Sequence, residues 1–422
     1  MTTKAYQIRA ISPGEFEALC EVPNEAFLHT WPPEALERER LTTEFDRTLA
    51  ALDGQRIVGS AGAYSFQLAV PGSWVPAAGI TMIAVLPSYR RRGILTGLMS
   101  RLFSDAQSRS EPVAILFATE AGIYGRFGFG LGSQHQELTI RRGEGSLAVG
   151  AAAGSVRGEL RLRDAEPLEA RAELARVFDS VFALQPGTVA RDDRWWSHVL
   201  TDVPSLRSPG ASAPRCLLAC GDDGPRGYVL YQTKGGWDDN HLAAGWLHVR
   251  ELHATDPAAY AALWADVLSR DLVAEVNALM RPIDDPLLAM LGDSRRARPA
   301  PADGLWVRLL DLPAALTGRS YAAPADVVLE VHDPVIEGNS GRWRLRTSGR
   351  SAAGPGETTC EPTHAGADVR LTIQALGAGY LGGASFGQLA GAGHIAELTP
   401  GALPTLAAAM SWDRAPYSGM MF

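Results

Sequence analysis

The chain has 422 residues, more than one ordinary hydrophobic core organises, so two or three domains are expected. Hydrophobic residues make up 46% and charged residues 20%, the balance of a soluble globular protein, and the net charge of −8 argues against a nucleic-acid partner, whose phosphates draw on clustered Lys and Arg. The N-terminal residues lack the apolar stretch of a signal peptide and no window has the length and apolarity of a membrane span, so a cytoplasmic protein without a membrane partner is expected.

Two low-complexity joints divide the sequence. Residues 143–156 are small and Gly-rich, and residues 295–304 are polar and broken by Pro, which gives segments 1–150, 151–302 and 303–422. In the first segment, Gln55 to Ser65 is strand-like after a turn at Asp53-Gly54, and Gly79 to Leu86 is a buried strand ended by Pro87. Leu95, Leu98, Met99, Leu102 and Phe103 then fall on one helical face, and Pro112 to Thr119 forms another buried strand. In the second segment, strands are predicted at Cys216–Ala219, Gly227–Gln232 and Ala244–Leu252. A helix follows with Asp256 as N-cap and Pro257 at its first position, burying Tyr260, Leu263, Trp264, Val267 and Leu268. The third segment has strand-like runs at Leu305–Leu310, Asp326–His332, Arg342–Thr347 and Asp368–Ile373 before Ala- and Leu-rich helices, an α+β order. The tail from Ser411 ends in Gly-Met-Met-Phe, too apolar for a frayed terminus, and is expected to dock.

The chemical signal lies at Pro87-Ser88-Tyr89-Arg90-Arg91-Arg92-Gly93-Ile94-Leu95-Thr96, between a buried strand and an amphipathic helix. A Gly-bearing turn into a helix start presents backbone N–H groups and the positive end of the dipole, which suits a pyrophosphate. Three cations at a helix start oppose that dipole, so a ligand explains them better than stability does. The cysteines and histidines are blander. Cys216 and Cys220 sit in an apolar run, the nine histidines include no pair at ligand spacing, and no metal is expected. His248 and His253 read as structural, and Trp195-Trp196 as core or interface.

The run Ile-Ala-Val-Leu-Pro-Ser-Tyr-Arg-Arg-Arg-Gly-Ile-Leu resembles the acetyl-CoA loop of GNAT acetyltransferases, with Arg90 and Gly93 matching and Leu95 departing at a position the family keeps small. Together with Phe117 to Gly130, Leu305-Trp306-Val307-Arg308-Leu309, Ala315-Leu316, Arg319-Ser320-Tyr321 and Tyr380-Leu381-Gly382-Gly383, it resembles the enhanced intracellular survival (Eis) family over almost the whole chain. The resemblance implies an α/β (α+β) chain of two GNAT-like regions and a sterol-carrier-protein-like domain, assembled as a homohexamer, a trimer of dimers. It implies acetyl-CoA as cosubstrate in the first region only; the second runs from its strand straight into Asp256-Pro257 without an Arg- and Gly-bearing loop.

By the same resemblance, Ile83, Ala84 and Val85 pair with the pantetheine arm, with the Val85 N–H toward the thioester oxygen. Arg91, Arg92, Gly93, Ile94, Leu95 and Thr96 wrap the pyrophosphate, and Thr119 and Glu120 end the neighbouring strand. Tyr124 is implied as general acid and the Phe422 carboxylate as general base. The implied acceptor is a primary amine on a cationic, multi-amine small molecule of aminoglycoside type. Lysine acetylation of peptides, or a non-catalytic lipid or small-molecule carrier using the last domain, are the alternatives. Family pockets tend to be acidic where this chain has Met421 and the stretch Phe27-Leu28-His29-Thr30; Glu21 and Glu25 are the candidate substitutes.

Overall fold

A computed structural model of the chain describes residues 6–148, 160–182, 185–350, 354 and 356–422. Its strands form three sheets. The first runs in the order Gln7–Ala10, Leu49–Asp53, Arg56–Val70, Ser73–Val85, Val113–Phe117, Leu305–Leu309 and Gly130–Leu131. The second runs Ala300–Asp303, Gln134–Arg141, Val273–Pro282, Gly245–Ala254, Gly224–Lys234, Arg215–Gly221 and Arg161–Ala165. The third has five strands, from Thr358–Pro362 through Gly341–Thr347, Ala325–His332 and Val369–Thr372 to Ile395–Glu397.

The sequence periodicities explain most of these elements. The helix Ile94–Ser108 buries Ile94, Leu98, Met99, Leu102, Phe103 and Ala106 against the first sheet, while Leu95 sits at the rim. In the second unit Asp256 caps the helix Pro257–Ser269, its carboxylate accepting from the N–H groups of Ala258 and Ala259 at 2.9 and 3.0 Å. Trp195 and Trp196 are both buried, and all four cysteines are free.

A strand crosses each joint between the three segments. Gln134–Arg141 belongs to the second sheet although it precedes the Gly-rich joint, of which residues 149–156 lie outside the described residues. Leu305–Leu309 follows the Pro-broken joint yet pairs antiparallel with Val113–Phe117 in the first sheet. It also anchors the third unit. The buried Arg308 guanidinium donates to both Asp333 oxygens at 2.8 and 2.7 Å, and removing one partner of such a pair typically costs about 3–5 kcal/mol. Next to it the helix Ile373–Gly379 lies so close to Gly130 that a Cβ there would meet the carbonyl oxygen of Gln374 at 2.1 Å. Only glycine permits that approach.

One hydrophobic core therefore spans two units: Phe66, Val113, Ile115, Val307 and Leu309 pack with Leu371, Leu376, Met410 and Met420. The tail docks onto this core. Tyr417 donates its N–H to the Pro186 carbonyl at 2.7 Å, and the Gln185 side chain donates to the Ala415 carbonyl at 2.6 Å. Segment 185–190 is itself stitched to the strand Arg56–Val70 through Leu68 and Val189. These contacts carry the chain end back to the first unit.

His253 is structural, and it makes stability depend on pH. It packs against Phe178 and Tyr228, and its Nε2 atom is buried without a hydrogen-bond partner. Burial, opposed by the nearby Glu251 carboxylate, holds its pKa down to about 4. An unfolded histidine titrates near 6.5, so below that pH the unfolded chain binds the extra proton and the folded chain does not. Stability is therefore unaffected above about pH 6.5 and falls as pH drops toward 4. At pH 5 the loss from this group is on the order of 2 kcal/mol. The thermal midpoint should drop between pH 6.5 and 5, and the drop should be shallower in His253→Gln; equal slopes would show that His253 is not the titrating group.

Candidate active site

The strand Ser73–Val85 pairs in parallel with Val113–Phe117 only across Ala77 to Gly79. Beyond Gly79 the two strands splay, so the edge of residues 80–85 that faces the gap has no strand partner, while Ala84 and Val85 pair on the other side with Ser60 and Gly59. An edge left open in this way accepts an extended ligand arm as an added strand would. Ile83 lines the resulting gap, Ala84 is buried, and Val85 lies in regular register. The irregularity falls earlier than Val85. The register shifts between Ser60 and Gly62, and Met82 takes a left-handed φ of 52°, its carbonyl accepting from the Ser60 hydroxyl at 2.8 Å. A bulky residue in that region is strained, and such strain collects at functional sites.

The Arg-rich turn opens the helix that follows. Arg91 and Gly93 both have positive φ, 62° and 82°, and Gly93 is the N-cap of Ile94–Ser108. A Cβ on Gly93 would meet nothing within 4 Å, so the turn presents bare backbone to open space. Ile94 is buried in the core and contributes only its backbone there, whereas Arg91, Arg92, Gly93 and Thr96 are exposed. Arg92 is held by the Ser88 carbonyl at 2.7 Å and lies 4.9 Å from the Tyr89 ring centre; the side chains of Arg90 and Arg91 make no hydrogen bond or ion pair among the described residues. These features fit a phosphate-bearing cosubstrate.

At the other end of the gap is a cavity of about 560 Å³. Ile83, Thr119, Tyr124 and Phe422 all line it, which brings together four residues from distant parts of the chain. Glu120 stands exposed at the N-cap of the short helix Ala121–Tyr124, close enough to influence the tyrosine. Tyr124 is 5% exposed, and burial together with the Glu120 charge pushes its pKa up to about 12, so it stays protonated at neutral pH. Its hydroxyl makes no hydrogen bond within the described residues. The Phe422 ring is seated between Phe66, Phe117 and Tyr64, with centroid distances of 4.9, 5.4 and 6.4 Å. No cation pairs with its carboxylate among the described residues.

Several lining residues were not singled out by the sequence. Glu39 and Asp303 supply acidic groups, while Glu21 and Glu25 point to solvent from the helix Phe16–Phe27, whose buried face carries Phe16, Leu19, Cys20, Val22 and Pro23. Glu39 accepts from Arg38 at 2.9 Å and Asp303 from the Trp306 indole at 2.9 Å. His135 and His198 also line the cavity, and burial lowers both pKa values, keeping them neutral near pH 7. His29 lies outside the lining but stacks on Phe27, which is part of it.

Residues 7–132 match the family model described as acetyltransferase (GNAT) domain, residues 187–309 a second model of that description, and residues 312–419 a sterol carrier protein domain. N-acetyltransferase Eis of Mycobacterium bovis is 33% identical over 390 residues, 90% of each chain. This chain belongs to the Eis family of N-acetyltransferases. An uncharacterized N-acetyltransferase of Streptomyces avermitilis is 40% identical over 384 residues, 90% of this chain and 91% of its own. The crystal structure of Eis1 from Mycobacterium abscessus superposes with a TM-score of 0.82 at 32% identity, covering 99% of this chain and 100% of that one. The chain is thus an acetyltransferase of GNAT fold, an enzyme class that uses acetyl-CoA, with a sterol-carrier-like domain at its end. Among the described residues no group of three or more His, Cys, Asp or Glu side chains is gathered to hold a metal, and no helix is long and apolar enough to cross a membrane.

Proposed function

We propose that this Eis-family enzyme acetylates primary amines of cationic, multi-amine small molecules, aminoglycoside-like in charge, at the cavity shared by Tyr124 and Phe422. The observation that carries this reading is the meeting in one cavity of a protonated phenol, the chain-terminal residue and an open strand edge. Acetyl-CoA supplies an activated acetyl thioester. Residues 83–85 would hold its pantetheine arm along the open edge, with Thr119 and Glu120 at the facing strand end. Backbone groups of Arg91 to Thr96 would hold its pyrophosphate, with Arg90 and Arg91 free to pair with it.

The reaction delivers one proton to Phe422 and draws another from Tyr124. An amine arrives as an ammonium and must lose a proton before it attacks; the Phe422 carboxylate accepts it. A carboxylate with a reference pKa of about 3.3–3.7 is a weak base, so the transfer needs a dry pocket or a water relay. The sulfur leaves as a thiolate and takes a proton from the Tyr124 hydroxyl; the second nitrogen proton, shed as the amide forms, restores Tyr124, so that one proton is released overall for each amide and thiol formed. Burial makes Tyr124 a weaker acid than a free phenol, yet it keeps the proton in place at neutral pH.

The lining favours a cationic acceptor. Glu39, Asp303 and Phe422 line the cavity with Arg38 as its one guanidinium among the described residues, and both histidines are neutral. Met421, 60% exposed, replaces an acid at the mouth, so an acceptor amine would be held from the Glu39 and Asp303 side. A matched series of acceptors tests this. kcat/KM should rise from a singly charged monoamine to a triamine by about 10-fold or more and should fall with added salt, because the attraction is screened. A flat series, or a preference for zwitterionic amines, would reject the cationic assignment.

A further inference from the structure

Behind the tail lies a second, smaller cavity of about 160 Å³, lined by Arg38, Arg191, His198, Arg250, Glu251 and the segment Gly419–Met421. The fold aims Arg250 there by a bulge. In the ladder with Gly224–Lys234, Glu251 stands opposite Leu230 and Val249 opposite Tyr231, so Arg250 is an extra residue with no partner across the strand. A bulge redirects the side chain it carries.

Charge does not balance in this cavity. Its one carboxylate, Glu251, is taken by Arg191, which donates from Nη1 at 2.9 Å and Nη2 at 2.6 Å, and it also accepts from the Tyr228 hydroxyl. Arg38 directs Nη2 to Glu39, which lines the larger cavity. The Nε atoms of Arg38 and Arg191 are buried with no hydrogen-bond partner among the described residues, and Arg191 is only 8% exposed. The Arg250 side chain, half-buried, makes no hydrogen bond or ion pair among the described residues. Arg191 and Arg38 each have a carboxylate, so the uncompensated cation is Arg250, and a half-buried cation is costly unless an anion joins it.

We propose that this cavity binds one small inorganic oxyanion of the phosphate class, which completes the arginine cluster and fixes the segment Gly419–Met421 that leads into Phe422. Guanidinium forks match the oxygens of such an ion, and the volume exceeds the roughly 30 Å³ share of one water several-fold. Anion binding is independent of what Phe422 does; only the effect on turnover rests on the proposed reaction.

The test uses the whole chain in phosphate-free buffer with saturating acetyl-CoA, which keeps the Arg-rich turn from acting as the anion site. Inorganic phosphate is titrated against gluconate at matched ionic strength. The wild-type thermal midpoint should rise saturably, by about 1 °C once phosphate exceeds its Kd about fivefold, and gluconate should leave it flat. Arg250→Gln, relieved of an unpaired cation, should start above the wild type and not respond, so that the two curves cross. Turnover should rise with phosphate in the wild type alone. Equal responses of the two proteins, or of phosphate and gluconate, would overturn the proposal. Should Arg250→Gln not fold, a phosphate-soaked crystal of the wild type decides: density in the cavity supports the site, and a cavity with water only overturns it.

Discussion

A chain extended by one or two residues beyond Phe422 is expected to lose acetyl transfer while keeping its fold and its affinity for acetyl-CoA. The side chain and the charge of Phe422 have separable roles. The ring is gripped by Phe66 and Phe117 with centroids at 4.9 and 5.4 Å, and Met420 is buried in the same core. These apolar contacts survive an extension. The carboxylate does not, because a neutral peptide carbonyl takes its position and the new terminal charge lies at least one residue away. A misplacement of about 1 Å costs on the order of 100-fold, and losing the basic group altogether costs more. Deleting Phe422 should fail as well, since it moves the charge to Met421, which is 60% exposed, and empties the aromatic seat. An N-terminal tag is the control. If the extended chain keeps its thermal midpoint and full turnover, Phe422 has no part in the proton transfer.

Tyr124→Phe is expected to lower turnover by about 100- to 10,000-fold, the usual contribution of a general acid, with little change in acetyl-CoA binding. The residue packs against Phe129 with ring centroids 6.1 Å apart, and phenylalanine fills the same space. Its hydroxyl makes no hydrogen bond within the described residues, so removing it strands no partner and should leave the thermal midpoint nearly unchanged. The loss should therefore appear in kcat. Because burial and Glu120 raise the tyrosine pKa to about 12, the wild-type rate should show no fall from tyrosine ionisation up to about pH 10. Turnover in the folded variant within a few-fold of wild type would reduce Tyr124 to a packing residue.

The sequence was most legible where a pattern is local. The helical face from Leu98 to Phe103 and the Asp256-Pro257 helix start depend on neighbours within a turn or two, and both form as expected. The apolar ending Met420-Met421-Phe422 pointed to a docked tail for an equally local reason, and Met420 and Phe422 do pack into the core, while Met421 stays 60% exposed.

Choices between distant partners were not legible. The alternation of Leu305–Leu309 says that one face is buried but not against which sheet, and it joins the first one. Acidic residues of the cavity were sought at Glu21 and Glu25, near the apparent pocket stretch. The helical period turns those two outward together, and the carboxylates come instead from Glu39 and from Asp303, far away in sequence. The left-handed backbone at Met82 leaves no trace either, because methionine is not a residue that signals positive φ. Arg250 looks like any surface arginine of a strand until the bulge is seen.

The central claim is that acetyl moves from acetyl-CoA to an acceptor amine in one step within this cavity. It is tested most directly by mixing the enzyme with acetyl-CoA and a triamine and counting free CoA thiol and acetylated amine in the same samples. Direct transfer predicts that the two appear one for one, and that no thiol appears within the first turnover when the amine is omitted. A burst of thiol equal to the enzyme concentration without amine would mean an acetylated enzyme intermediate, and thiol without acetylated amine would mean hydrolysis; either would contradict the account.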